Sequence, residues 1–261
     1  MAPIIVLIAL AVLIVFFILY KKPGKKVTLS DNFRQLLAQY VSYYNKLDEK
    51  NKTRFEGKVK EFLGYISING VNTDVTDLDK LLVASSAVIP IFGFDKWKYY
   101  NLKMVLLYPA TFNKSEFQVP GYEKNTLGMV GNGPMQRMMI LSKPALHAGF
   151  DAKSSKENTG IHEFVHLLDK EDGDVDGLPE ALLNRKYNKQ WFDLISENIE
   201  IIISGHSDIN YYGASNKAEF FAVTSEYFFN SPELFKQHHP ELFHLMCTIF
   251  NQNPVEPTFK E

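Results

Sequence analysis

The sequence predicts an α+β fold, helices followed by a short sheet and then helices again, behind one N-terminal transmembrane helix. Three observations predict it. Apolar residues recur at helical spacing over the first hundred residues after the apolar start. Two short, continuous apolar runs bounded by turn residues follow in the middle. Helical patterning then returns and holds almost to the end, the order of an α+β arrangement.

The run from Ala2 to Tyr20 carries no charge. As a helix it spans about 28 Å, close to the roughly 30 Å of a bilayer's hydrocarbon core. No basic residue precedes it and no small-residue cleavage pattern follows, which favours a retained anchor over a cleaved signal peptide. Lys21, Lys22, Lys25 and Lys26 all flank its C-terminal side, so that side is expected in the cytoplasm. The expectation is a single-pass protein of a bacterial inner membrane, with residues 1–26 as anchor and basic linker and residues 27–261 as a cytoplasmic domain. The chain has 261 residues, a net charge of −2 and 46% hydrophobic content. That supports a packed core and supplies no basic excess to draw the chain onto nucleic acid. The one cysteine, Cys247, excludes an intrachain disulfide. Its apolar neighbours mark it as a core thiol.

Beyond the Pro23-Gly24 break, Ser30 or Asp31 can cap a helix from about Asn32, with Leu36, Leu37, Tyr40, Val41 and Tyr44 on its inner face. A second helix is expected from about Lys50 to Tyr65, packing Phe55, Val59, Phe62 and Leu63. "SINGVNTDVT" reads as a loop. Thr76 or Asp77 opens a third helix through Leu81, Leu82, Ala84 and Val88, whose lack of a polar face predicts central burial. "NLKMVLLYP" and "QRMMILS" read as strands. Gly128, Gly131 and Gly133 between them read as turn residues and make no nucleotide fingerprint. As a sheet edge, "QRMMILS" would hold an extended peptide by backbone pairing. Further helices are expected over about 158–168, 180–203 and 217–229, with a terminal pair near Pro232 and Pro240 and a loose tail.

Two overlapping metal signals lie between Gly160 and Gly177. His162-Glu163-Phe164-Val165-His166 fits H-E-x-x-H. On a helix, positions i and i+4 lie one above the other, so both imidazoles can face one ion while Glu163 adjoins a bound water. A hydrolytic zinc site usually has a third protein ligand. The extended pattern with a third histidine is absent, because Asp169 and Asp172 occupy its places. His206, Glu219, Glu226, His238, His239 and His244 are the candidates downstream. Glu219 and Glu226 share a helix face seven residues apart, and spacing does not separate ligand from supporting residue. Asp172, Asp174, Asp176 and Gly177 fit the first half of a calcium loop, but Leu183 stands where the bidentate glutamate is required. The acidic stretch therefore reads as the turn ending the metal helix, with Asp169 placed to accept a proton from a ligand histidine.

"IHEFVHLLDKEDGDVDGLP" followed by "YYGASNKAEFFAVTSEYFFNSPELF" resembles the Mlc titration factor A family of zinc-dependent peptidases. The likeness runs from about Asp31 to Phe250 and includes "MMILSKPALHAGF". That family is similar in its metal site to the anthrax lethal factor protease, where a tyrosine stands seven residues before a glutamate ligand. Tyr212 and Glu219 have that spacing. The resemblance implies a zincin-like domain, with Zn2+ on His162, His166 and Glu219. It makes Glu163 the general base and Tyr212 the transition-state donor, and it leaves Glu226 a supporting role. It also implies a peptide or protein substrate or, as an alternative, a non-catalytic protein that sequesters a transcriptional regulator. The anchor departs from the soluble form of that family.

Overall fold

The computed structural model describes residues 29–109, 128–130, 137–151 and 156–256. The expected membrane anchor, Gly131, Gly133 and the last five residues lie outside them. Helix α1 (Phe33–Tyr40) starts about where expected but has Asn32, not Ser30 or Asp31, at its N-cap, and extended backbone at Val41 separates it from the short α2 (Ser42–Asn45). Helix α3 (Glu49–Tyr65) starts where the Asp48 side chain accepts the Asn51 amide at 2.8 Å. It buries Phe55, Val59 and Phe62.

Helix α4 (Asp77–Ile91) opens on a reciprocal capping box. Thr76 Oγ1 accepts the Asp79 amide and Asp79 Oδ2 accepts the Thr76 amide. From Leu81 to Ile91 every residue is buried, as the absent polar face predicts. The helix lies between α3 and the helix that carries H-E-x-x-H, α6 (Thr159–Asp169). A Cβ at Gly160 would stand 2.9 Å from Ser86 Cβ, so the small residues Gly160 and Ser86 let α4 and α6 approach closely.

The sheet has the order β1 (Ser67–Gly70), β2 (Met104–Tyr108), β4 (Met138–Ser142), β3 (Gly128–Val130). The first three strands run parallel; β3 runs antiparallel to β4, pairing Gly128 with Leu141 and Val130 with Met139. Three expectations change here. "SING" is a strand, invisible to patterning because this short edge buries almost nothing and is held by β2 through backbone bonds. Gly128 lies in a strand rather than a turn. "QRMMILS" supplies β4, which is paired on both sides and so offers no edge to a peptide; among the described strands the edges are β1 and β3.

Beyond β4 come α5 (Lys143–Ala148), which the patterning missed, and then α6. Helix α7 (Asn188–Ile203) begins eight residues later than expected, because Pro179–Leu183 turns on itself and Arg185–Tyr187 forms a 3-10 turn. Helices α8 (Lys217–Asn230), α9 (Pro232–His238) and α10 (Pro240–Ile249) complete the domain. Helix α8 is buried almost all round and packs against α6 through an aromatic-rich core that includes Phe164, Phe220, Phe221 and Phe228. This mostly helical α+β body sets α6 and α8 side by side.

Candidate metal centre

The Asn158 side chain caps α6, accepting the Ile161 amide at 3.0 Å. The Asn216 side chain caps α8, accepting the Glu219 amide at 2.9 Å. These two caps fix where the helices start, and so which side chains meet between them. His162 Nε2 lies 3.1 Å from His166 Nε2 and 3.0 Å from Glu219 Oε2; His166 Nε2 lies 3.4 Å from the same oxygen. Among the described residues, these three are the one group whose donor atoms all lie close enough together to hold a metal ion.

Glu219 Oε2 is buried and, despite these short distances, is out of line for a hydrogen bond. A buried carboxylate oxygen without such a bond is costly. Facing two imidazole nitrogens, it fits a divalent cation of the kind that takes two histidines and a carboxylate. Glu226, on the same face of α8, reaches the other side of the ring: its Oε1 lies 2.7 Å from His162 Nδ1. Its Oε2 accepts a short bond from the Asn158 amide at the cap of α6. His162 therefore presents Nδ1 to Glu226 and Nε2 to Glu219. The spacing that left the two glutamates equivalent is resolved by which nitrogen each one reaches.

Glu163 is 6% exposed, and burial first, with Glu219 and Glu226 adding, holds its carboxyl above the ordinary range against His162 and His166. Burial works against a charge on His162, yet Glu226 and Glu219 outweigh it and raise the ring well above an ordinary histidine. Burial would raise Glu219 as well, but the two histidines hold it below the usual range. Tyr212 sits in a 3-10 turn (Tyr211–Ala214), where Asn210 Oδ1 accepts its amide at 2.9 Å. Its ring stacks beside His162 at 6.1 Å and 29°, with 40% of the residue exposed.

The remaining candidates stand apart from this cluster. His206 is exposed and pairs with Ser204 Oγ. His244 is exposed on α10. His238 Nδ1 and His239 Nε2 both pair with Asp208, at 2.7 and 2.6 Å, together with Lys156 and Tyr227. Of the two, His238 is exposed and His239 is largely buried. Asp208 stands four residues before Tyr212 and had no sequence signal.

The acidic stretch spends its carboxylates on its own backbone. Asp172 accepts the Asp174 and Glu180 amides, and Asp176 accepts the Leu178 amide. Leu183 is buried in the core. Asp169 is fully buried; its Oδ2 accepts the Gly177 amide at 2.9 Å while its Oδ1 has no hydrogen bond. Burial, with Asp176 and Asp172 adding, pushes its carboxyl up to about 7. Gly177 adopts φ +78°, and a Cβ there would stand 2.4 Å from the Lys217 carbonyl. The turn after α6 thus ends pressed against the first residue of α8.

The family described as glucose-regulated metallo-peptidase M90 matches residues 20–251. Mlc titration factor A of Escherichia fergusonii is 33% identical over 232 residues, 84% of this chain and 85% of its own length. The protein of that name from an Escherichia coli strain is 35% identical over 162 residues, 58% of this chain and 60% of its own length. An uncharacterized protein of Synechocystis is 25% identical over 237 residues, 87% of this chain and 86% of its own. A match over most of the chain, on the segments that build the His-His-Glu cluster, places this protein in the glucose-regulated metallo-peptidase family M90, the family of Mlc titration factor A.

Proposed function

We propose that this protein is a zinc-dependent peptidase whose domain, residues 27–261, is held at the cytoplasmic face of a membrane by residues 1–26. The observation that carries the catalytic reading is the convergence of His162 Nε2, His166 Nε2 and Glu219 Oε2 within 3.0–3.4 Å, with that buried oxygen lacking a hydrogen bond. These three atoms would hold the ion. When bound, Zn2+ supplies Lewis acidity and lowers the pKa of water to about 7.

The chain's own groups do the rest. Glu163, buried beside both histidines, takes a proton from the attacking water and passes it to the leaving amine. The Tyr212 hydroxyl, on an exposed turn beside His162, donates to the oxyanion that forms on the scissile carbonyl. Glu226 keeps His162 in one tautomer. Edge strand β3, packed beside α6, takes over the peptide-holding role first expected of β4. The zincin-like description of the domain belongs to this same reading.

The name Mlc titration factor A, borne by relatives at 33–35% identity, favours a second reading. In it, the domain binds and sequesters a transcriptional regulator without cutting it. Zinc content and cleavage of a peptide library, measured on the full-length chain, separate the two. The peptidase reading expects about one zinc per chain and cut peptides, with cleavage abolished by a chelator. A chain that holds no zinc and cuts nothing, yet binds such a regulator, would leave only sequestration. Topology has its own test. A C-terminal reporter active only in the periplasm should stay silent, and activity there would reverse the orientation drawn from Lys21, Lys22, Lys25 and Lys26.

A further inference from the structure

Two buried polar atoms on α6 lack hydrogen bonds, His166 Nδ1 and Asp169 Oδ1. They belong to residues three apart on one helix, and side chains at that spacing share a face one turn apart. A buried polar group left unpaired in a folded protein calls for an explanation, and these two, not bonded to each other here, lie on one face within a turn. The carboxylate is already held in place, because its other oxygen accepts the Gly177 amide at 2.9 Å. Gly177 is in turn fixed by the Trp191 indole, which donates to its carbonyl at 2.6 Å, and by the Lys217 backbone against its α-carbon.

We propose that Asp169 is a positioning residue whose Oδ1 accepts the Nδ1–H of His166, aiming the Nε2 lone pair of that ring at the position shared with His162 and Glu219. The arrangement repeats, on the second histidine, what Glu226 does for His162. It differs in origin. Glu226 reaches across from α8, whereas Asp169 comes from α6 itself and is held by a turn that abuts α8 two residues before Glu219. Asp169 thereby ties the aim of His166 to the seat of the helix that supplies the third donor. A metal-ligating histidine commonly gives its other ring N–H to a carboxylate or carbonyl, and losing that partner weakens metal binding about 10–100-fold.

The inference rests on the reading of the His-His-Glu cluster as a zinc site, and the test keeps the two apart. Full-length wild type and Asp169→Asn are titrated with zinc against a competing chelator, and the melting temperature of each metal-free protein is measured. The one oxygen of the amide can accept from the Gly177 amide or from the His166 ring but not both, whereas a carboxylate has an oxygen for each. Zinc affinity should therefore fall about 10–100-fold. The metal-free melting temperature should change little, because asparagine keeps the volume and its Oδ1 can still accept the Gly177 amide. Equal zinc affinity overturns the proposal. A fall in both quantities overturns it too, since that marks a role in the fold alone. Wild type that binds no zinc overturns the metal reading and this inference with it. A second measurement needs no variant: in zinc-loaded wild type the His166 Nδ1–H should exchange slowly with solvent. Fast exchange there, beside a protected His162 Nδ1–H, sinks the assignment.

Discussion

Glu163→Gln should keep its zinc and lose peptidase activity, with kcat down by about 10²–10⁴-fold, the usual worth of a general base. The substitution preserves volume at a residue that is 6% exposed, so α6 and its packing persist. What goes is the ability to take a proton. Burial makes the native carboxyl more basic than an ordinary glutamate, which suits it to holding a proton between attack and departure of the amine. Glu163 takes no part in the His162–His166–Glu219 contacts, so metal content and chelator competition should match wild type. Normal turnover by the variant, measured with metal content in the same preparation, would remove Glu163 from the mechanism.

Glu219→Ala should cut zinc affinity on the order of 10²-fold, taking the roughly 10–16 kcal/mol of a four-ligand site as shared among its donors. Glu219 is the only anionic member of the cluster, and its Oε2 stands 3.0 and 3.4 Å from the two histidine nitrogens. Without it, two imidazoles on one helix remain. Glu226→Ala is the comparison, since Glu226 touches the far nitrogen of His162 and should cost about 10–100-fold. Chelator titration of both variants ranks them. A Glu219→Ala protein that binds zinc like wild type, beside a Glu226→Ala protein that binds none, would exchange the two roles.

Elements that carry their own start signal and a buried face were legible in the sequence. Thr76 marks the start of α4, and the apolar residues of α3 and α4 are where periodicity puts them; the Asp48 cap and the Asp79 half of the capping box appear only in the structure. Elements defined by their neighbours were not. "SING" has no buried face and becomes a strand only when β2 lies beside it. "QRMMILS" carried its strand character but not its place in the sheet, which β3 decides from the other side. The site divides the same way. The i, i+4 spacing puts both histidines on one face, a local fact. Which of Glu219 and Glu226 faces the Nε2 atoms depends on how α8 docks on α6, set by packing and by caps at Asn158 and Asn216. Residue spacing carries no information about that docking.

The cluster also has a history within each molecule's synthesis. His162 and His166 leave the ribosome on one helix, and Glu219 follows about fifty residues later. At about 5–20 residues per second the two histidines wait roughly 3–10 s for their carboxylate. During that interval they form at most a two-donor site that gains and loses metal freely. On the proposed zinc reading, tight loading would begin only once Lys217 comes to rest against Gly177 and α8 is seated. On that reading the metal would be a late arrival, held tightly only after α8 has paired with α6.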